Sequence, residues 1–212
     1  MADLNRLYES ILNGKLEPAV EVTHQIIDEQ LNIQEIINGY MIKAMEEIGD
    51  RFQQQKAFVP ELLMAARAMK GSLELLKSCM KGNNTVTVGK IVIGTVFGDL
   101  HDIGKNLVAS MFEGCGFEVV NLGVNVPPSK FVEVVKTEKP DILCLSALLT
   151  TTMNNMKDVI VALEQAGLRD QVKVMVGGAP VNQMFADQIG ADAYTGNANA
   201  AVLKAKELLS VA

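Results

Sequence analysis

His101 is one of only two histidines in the chain, and its neighbours make it the first candidate for chemistry. It lies in Gly98-Asp99-Leu100-His101-Asp102-Ile103-Gly104, between a β-branched run and a helical run, with glycine on both sides. Asp99 stands two residues earlier. In extended chain, residues i and i+2 point the same way, so a carboxylate here can reach one imidazole nitrogen while the other faces a ligand. Metal-binding histidines are oriented in this manner, and neutral imidazole is a good ligand for transition metals. A His–Asp pair alone serves equally well as a loop-capping hydrogen bond, so the case depends on the other loops.

Three further segments follow β-branched runs. Ser146-Ala147-Leu148-Leu149-Thr150-Thr151-Thr152 is rich in hydroxyls, which supply donors and acceptors or cap a helix. Gly177-Gly178-Ala179-Pro180 lets something approach the backbone closely, or makes a turn. Gly196-Asn197-Ala198-Asn199 is again small and polar. Small and polar residues in several loops at once point to a long groove for a bulky, elongated ligand rather than a compact phosphate site.

The elements that must position these loops follow from periodicity. Short β-branched runs fall at 90–96, 117–122, 142–146, 172–176 and 191–195. Helical segments fall near 104–115, 128–138, 153–167, 180–189 and 198–210. Alternation of this kind predicts an α/β domain with a parallel, doubly wound sheet of five strands. Such sheets bind ligands beyond the carboxyl ends of their strands, where these loops lie.

The first eighty-odd residues have a different period. Leu4, Leu7, Tyr8, Ile11 and Leu12 recur at helical spacing, and Asn13-Gly14 breaks the pattern. Pro18 opens a second helix, a third carries Ile33 to Ile48, and a fourth starts near Pro60. These predict a four-helix bundle over residues 1–84, with a polar linker at 81–85, ahead of the sheet domain at 85–212.

Composition excludes several classes. The chain has 212 residues, 49% hydrophobic and 21% charged, as in ordinary globular proteins. A net charge of −6 repels nucleic acid, and with no Trp and 5% aromatics there is little for bases to stack on. Cys79, Cys115 and Cys144 form no CxxC pair, and the last two read as small buried hydrophobes in a reducing compartment. His24 and the acidic residues Asp28, Glu29, Glu46 and Glu47 read as solvated helix faces. No apolar run approaches the ~20 residues of a membrane helix. The N-terminus lacks the basic start and apolar stretch of a leader, so a cytoplasmic location is expected.

Taken together, Asp99-x-His101-x-x-Gly104, Ser146-x-Leu148 and Gly177-Gly178 resemble the B12-binding fingerprint of methyltransferases and mutases. The order of the motifs matches, and each follows the expected strand. Asn121-Leu122-Gly123-Val124-Asn125-Val126-Pro127 resembles the family's second loop. The helical part resembles the cap module before this domain in methionine synthase and in corrinoid proteins of methylamine, methanol and aryl-ether systems. The likeness covers nearly the whole chain.

The resemblance implies a Rossmann-like or flavodoxin-like domain holding cobalamin, with its own base displaced and His101 as the lower cobalt ligand. Asp99 would hold His101, and Thr152 would hold Asp99, where methionine synthase has a serine. Gly98, Leu100, Asp102 and Ile103 would flank the ligand. Ser146, Leu148, Thr150, Gly177, Gly178 and Ala198 would line the lower face and the tail groove. Phe58 and Leu62 would cover the methyl face from the cap, which would swing aside on the linker.

The resemblance also implies a carrier subunit rather than a complete enzyme. It would take a methyl group from a substrate-specific methyltransferase and give it to a second one acting on tetrahydrofolate or coenzyme M. A reductive activating protein would be a further partner. Other classes share parts of the pattern: an adenosylcobalamin mutase subunit, a B12-based sensor, and a flavodoxin-like receiver with Asp99 or Asp102 as phosphate acceptor.

Overall fold

The computed structural model describes residues 1–79 and 87–210. The expected linker at 81–85 and the boundary between 84 and 85 lie outside them. The chain divides into two compact units, Met1–Thr87 with Ser110–Gly116, and Val88–Ala109 with Phe117–Ala212.

The first unit is helical. α1 (Leu4–Leu12) begins at Asp3, whose side chain accepts the Arg6 N–H. α2 (Leu16–Asp28) starts two residues before Pro18, within the first turn, where a missing N–H costs little. The third predicted helix proves to be three joined pieces: α3 (Ile33–Ile36), a π-helical turn (Ile37–Met41) and α4 (Ile42–Gln53). The turn contains Asn38-Gly39, both weak helix formers, so the tighter spiral is easily given up there. α5 (Val59–Cys79) has Pro60 in its first turn. Leu7, Ile11, Val22, Ile26, Met41 and Leu62 are completely buried in this unit.

The second unit is a sheet of five parallel strands in the order β2-β1-β3-β4-β5. The strands are β1 (Lys90–Thr95), β2 (Glu118–Asn121), β3 (Ile142–Ser146), β4 (Lys173–Gly177) and β5 (Ala193–Tyr194). Between them in sequence run α6 (Ile103–Gly114), whose residues from Ser110 on are grouped with the first unit, α7 (Pro128–Glu138), α8 (Asn155–Gln165) and α9 (Gln183–Ile189), and α10 (Ala198–Leu208) follows β5. β1, β3 and β4 are apolar on both faces, as strands covered on both sides must be. Val92, Leu143, Leu145 and Val174 share a core with Phe131 of α7 and with Met156 and Val159 of α8. The edge strands β2 and β5 are shorter than the sequence predicts, since an edge strand has one neighbour to extend along.

β1 is flanked by β2 on one side and β3 on the other, so the connections after β1 and β3 run in opposite directions. That switch point opens a crevice at the carboxyl edge of the sheet. In register, Thr95 lies beside Ser146, and Ser146 beside Gly177. The loops bearing His101, Thr152 and Gly178 therefore leave neighbouring strands side by side.

Candidate functional site

The chain leaves β1 through a turn at Gly98, whose φ of +78° is strained for any residue with a Cβ. Asp99 follows and its side chain is completely buried. One oxygen, Oδ1, faces the His101 imidazole Nδ1 at 2.8 Å and accepts the His101 N–H at 3.0 Å. The other, Oδ2, accepts the Leu148 N–H at 2.8 Å, the Leu149 N–H at 3.4 Å and the Thr152 hydroxyl at 2.6 Å. The loop after β3 thus folds its first amides and a buried hydroxyl around a carboxylate delivered by the loop after β1.

These bonds decide the charge of the group. Burial by itself would raise the Asp99 pKa. The Thr152 hydroxyl, the N–H groups of His101 and Leu148, and the imidazole outweigh it and hold the carboxyl well below the usual range. An ionised Asp99 only accepts, so the imidazole proton belongs on Nδ1 and the lone pair on Nε2. Among the described residues Nε2 has no hydrogen-bond partner, and the His101 side chain is 51% exposed.

Most of the other expected residues lie in the loops after β1, β3 and β4. Leu100 and Leu148 are exposed apolar side chains, and Ile103, the first residue of α6, is 87% exposed. Phe97 and Leu149 extend the apolar surface. The Asp102 carboxylate accepts the Asn106 side-chain amide at 2.9 Å. An added Cβ on Gly104 would meet no protein atom within 4 Å. Thr150 is exposed in the turn after β3, and Ser146 is half-buried at the strand end. Gly177 ends β4, and Gly178, at φ +132°, lies so near the Ala147 carbonyl that a Cβ would come within 1.8 Å of its oxygen.

Ala198 is buried at the start of α10. Its neighbour Asn197 caps that helix by accepting the Ala200 N–H, rather than facing a groove. In the helical unit, Phe58 is 66% exposed and Leu62, one helical turn further on, is completely buried. Cys115 and Cys144 are buried, as expected, and His24 is exposed.

Three residues that hold the His101 loop went unassigned in the sequence. The Thr95 hydroxyl donates to the His101 carbonyl at 3.0 Å, and the Asn155 side-chain amide to the Phe97 carbonyl at 2.6 Å. Asn125 donates its N–H to the Asp99 carbonyl at 2.9 Å and accepts the Gly98 N–H on Oδ1 at 2.8 Å. No spacing rule links Asn125 to Gly98.

The fold and site define a doubly wound domain that presents one oriented imidazole at its switch point, on loops that also carry exposed apolar side chains. The profile described as "B12 binding domain" matches residues 89–204, and a second with the same description matches residues 3–77. The chain is 45% identical over 208 residues to the dimethylamine corrinoid protein of Methanosarcina barkeri, covering 98% of this chain and 97% of that protein. It is 44% identical over 205 residues to the trimethylamine corrinoid protein of the same organism, covering 96% and 94%.

Two solved structures are similar throughout. A cobalamin-binding protein from Desulfitobacterium hafniense DCB-2 has a TM-score of 0.82 at 33% identity, covering 98% of this chain and 99% of that one. A chain of the methanol:cobalamin methyltransferase complex MtaBC from Methanosarcina barkeri has a TM-score of 0.86 at 29% identity, covering 98% and 79%. This chain belongs to the B12-binding family, among the corrinoid proteins of methyltransferase systems.

The residues at the sheet edge fit such a cofactor. Among the described residues, no three His, Cys, Asp or Glu side chains converge on a metal site. A single free imidazole nitrogen is a poor cage for a bare ion but suits a metal already held in a macrocycle. The exposed Phe97, Leu100, Ile103, Leu148 and Leu149 offer the apolar contact that a ring face needs. No helix among the described residues is long and apolar enough to cross a membrane.

Proposed function

We propose that this chain carries a methyl group on a cobalamin-type corrinoid between two methyltransferases, with His101 as the lower ligand of the cobalt. The observation that carries the reading is the free, half-exposed Nε2 of an imidazole whose Nδ1 is fixed by the buried Asp99 carboxylate. When bound, the corrinoid supplies the carrier atom and its redox chemistry. The protein's own residues orient and tune. Asp99 fixes the tautomer and the plane of the ring, and Thr152 fixes Asp99. Ligation needs neutral imidazole, so a proton on His101 opposes it and the Asp99–Thr152 pair biases that competition. Ser146, Leu148, Gly177, Gly178 and Ala198 would line the path for the cofactor's tail, and Thr150 would lie close to its lower face.

The methyl donor's partner is a methylamine methyltransferase, in keeping with the similarity to dimethylamine and trimethylamine corrinoid proteins. The second partner transfers the group to tetrahydrofolate or coenzyme M, and a reductive activating protein restores oxidised cobalt. The test loads the protein with hydroxocobalamin, reduces it, and supplies dimethylamine or trimethylamine with candidate methyltransferases. Methylated cobalt, seen in the absorption spectrum, supports the carrier role, and failure with every methylamine enzyme sinks the choice of donor. His101→Ala should still bind corrinoid but with a shifted spectrum, and an unshifted spectrum removes His101 from the cobalt.

A further inference from the structure

Asn125 is one of five described non-glycine residues with positive φ, at +54°. Asparagine tolerates this region better than most side chains, but glycine tolerates it best. The side chain explains the choice. Its Oδ1 accepts the Gly98 N–H at 2.8 Å, a bond glycine cannot make, while its own N–H donates to the Asp99 carbonyl at 2.9 Å. Asn125 therefore grips the main chain on both sides of the turn that leads to His101. Asp99 orients the imidazole ring, and Asn125 holds the backbone from which ring and carboxylate both project.

The gripping loop is itself braced. The Lys105 ammonium is almost completely buried and donates to Asn121 Oδ1 and Asn106 Oδ1, each at 2.7 Å. Asn121 Oδ1 also accepts the Gly123 N–H at 3.0 Å, and its amide donates to Asn106 Oδ1 at 3.0 Å. The Thr95 N–H then donates to the Gly123 carbonyl and the Val126 N–H to the Thr95 carbonyl, each at 3.0 Å. A charged amine, two amides and the end of β1 thus fix residues 121–126. Removing either amide oxygen would leave the buried amine short of a partner, which is costly and suits a brace.

We propose that Asn125 is a positioning residue for His101: its two hydrogen bonds to Gly98 and Asp99 set the reach of the imidazole toward the cobalt, with Lys105 and Asn121 as its support. The proposal rests on the reading of His101 as cobalt ligand. Asn125→Gly removes the Oδ1 acceptor and keeps the backbone conformation. Asn125→Asp restores an acceptor.

Each variant, the wild type and His101→Ala are loaded with hydroxocobalamin and their absorption spectra recorded across pH. Asn125→Gly should bind the corrinoid with its spectrum displaced toward that of His101→Ala, the imidazole ligating about five-fold less favourably, the worth of one net hydrogen bond. Asn125→Asp should return the wild-type spectrum. A wild-type spectrum for Asn125→Gly, with that of His101→Ala displaced, overturns the positioning role and leaves the ligand reading standing. A wild-type spectrum for His101→Ala removes the ligand reading itself, and the proposal with it. Should Asn125→Gly not fold, amide exchange in the cofactor-free wild type decides. Slow exchange at Gly98 supports the grip, and exchange at the rate of an open loop overturns it.

Discussion

The Thr152 hydroxyl donates to Asp99 Oδ2 at 2.6 Å, on the carboxylate oxygen opposite the one that meets His101. The two residues are 53 positions apart in sequence and meet only because β1 and β3 are neighbours. Thr152→Val should lower unfolding stability by about 1.5–3 kcal/mol, the worth of a hydrogen bond to a charged group. Thr152→Ser keeps the donor and should stay within about 1 kcal/mol of the wild type. Urea denaturation of the cofactor-free protein measures both, and equal losses would remove the hydroxyl from the account.

The depressed pKa of Asp99 carries a pH signature. An ordinary aspartate titrates at 3.8, and folding lowers this one. Its stabilising contribution is therefore complete above 3.8 and lost as pH falls from there toward the folded value. Asp99→Asn lacks the titration. The stability difference between wild type and Asp99→Asn should be flat from pH 7 to about 5 and shrink below about 4. A difference that grows on acidification would contradict the sign.

Gly178→Ala tests the junction of the loops after β3 and β4. The new methyl would sit 1.8 Å from the Ala147 carbonyl oxygen at a φ of +132°. Strain and clash should together cost about 2–3 kcal/mol, and the corrinoid should bind more weakly because Ala147 leads directly into Leu148 and Asp99's amide donors. Thermal unfolding and a cobalamin titration read the two effects separately.

Cys144 sits in β3, two residues before Ser146. Burial pushes its thiol up to about 12 from 9.0. Folding therefore favours the protonated thiol, and that contribution is present below 9.0 and lost as pH rises from 9.0 toward 12. At neutral pH the native protein should resist iodoacetamide at Cys144, and mass spectrometry should find the adduct only after unfolding.

Much of this site is legible in sequence because its chemistry is local. Asp99 and His101 are two residues apart, the spacing at which an aspartate side chain accepts the N–H two residues on, and the same oxygen then meets the ring. The doubly wound order follows from alternating periods, and the order fixes where the loops gather. Thr152 becomes legible only through the family likeness, since nothing in its own surroundings names Asp99 as partner. Asn125, Thr95 and Asn155 stayed hidden for a related reason. Each holds the loop through backbone atoms, and a backbone donor or acceptor leaves no mark on residue type. Phe58 and Leu62 are a further case: apolar side chains one helical turn apart read the same from sequence, yet the first is exposed and the second buried. The π-helical turn at Ile37–Met41 was also invisible, since Asn38-Gly39 weakens a helix without saying how the chain will yield.

The sheet order has one more consequence. β1 and β3, which deliver His101 and Thr152, are interior strands, each paired on both sides. Central strands open last, while a two-residue edge strand such as β5 frays readily. Loss of the outer strand and its helix should leave the imidazole and its carboxylate in place. The histidine should lose its aim only when β1, β3 or the β2 edge whose loop carries Asn125 opens.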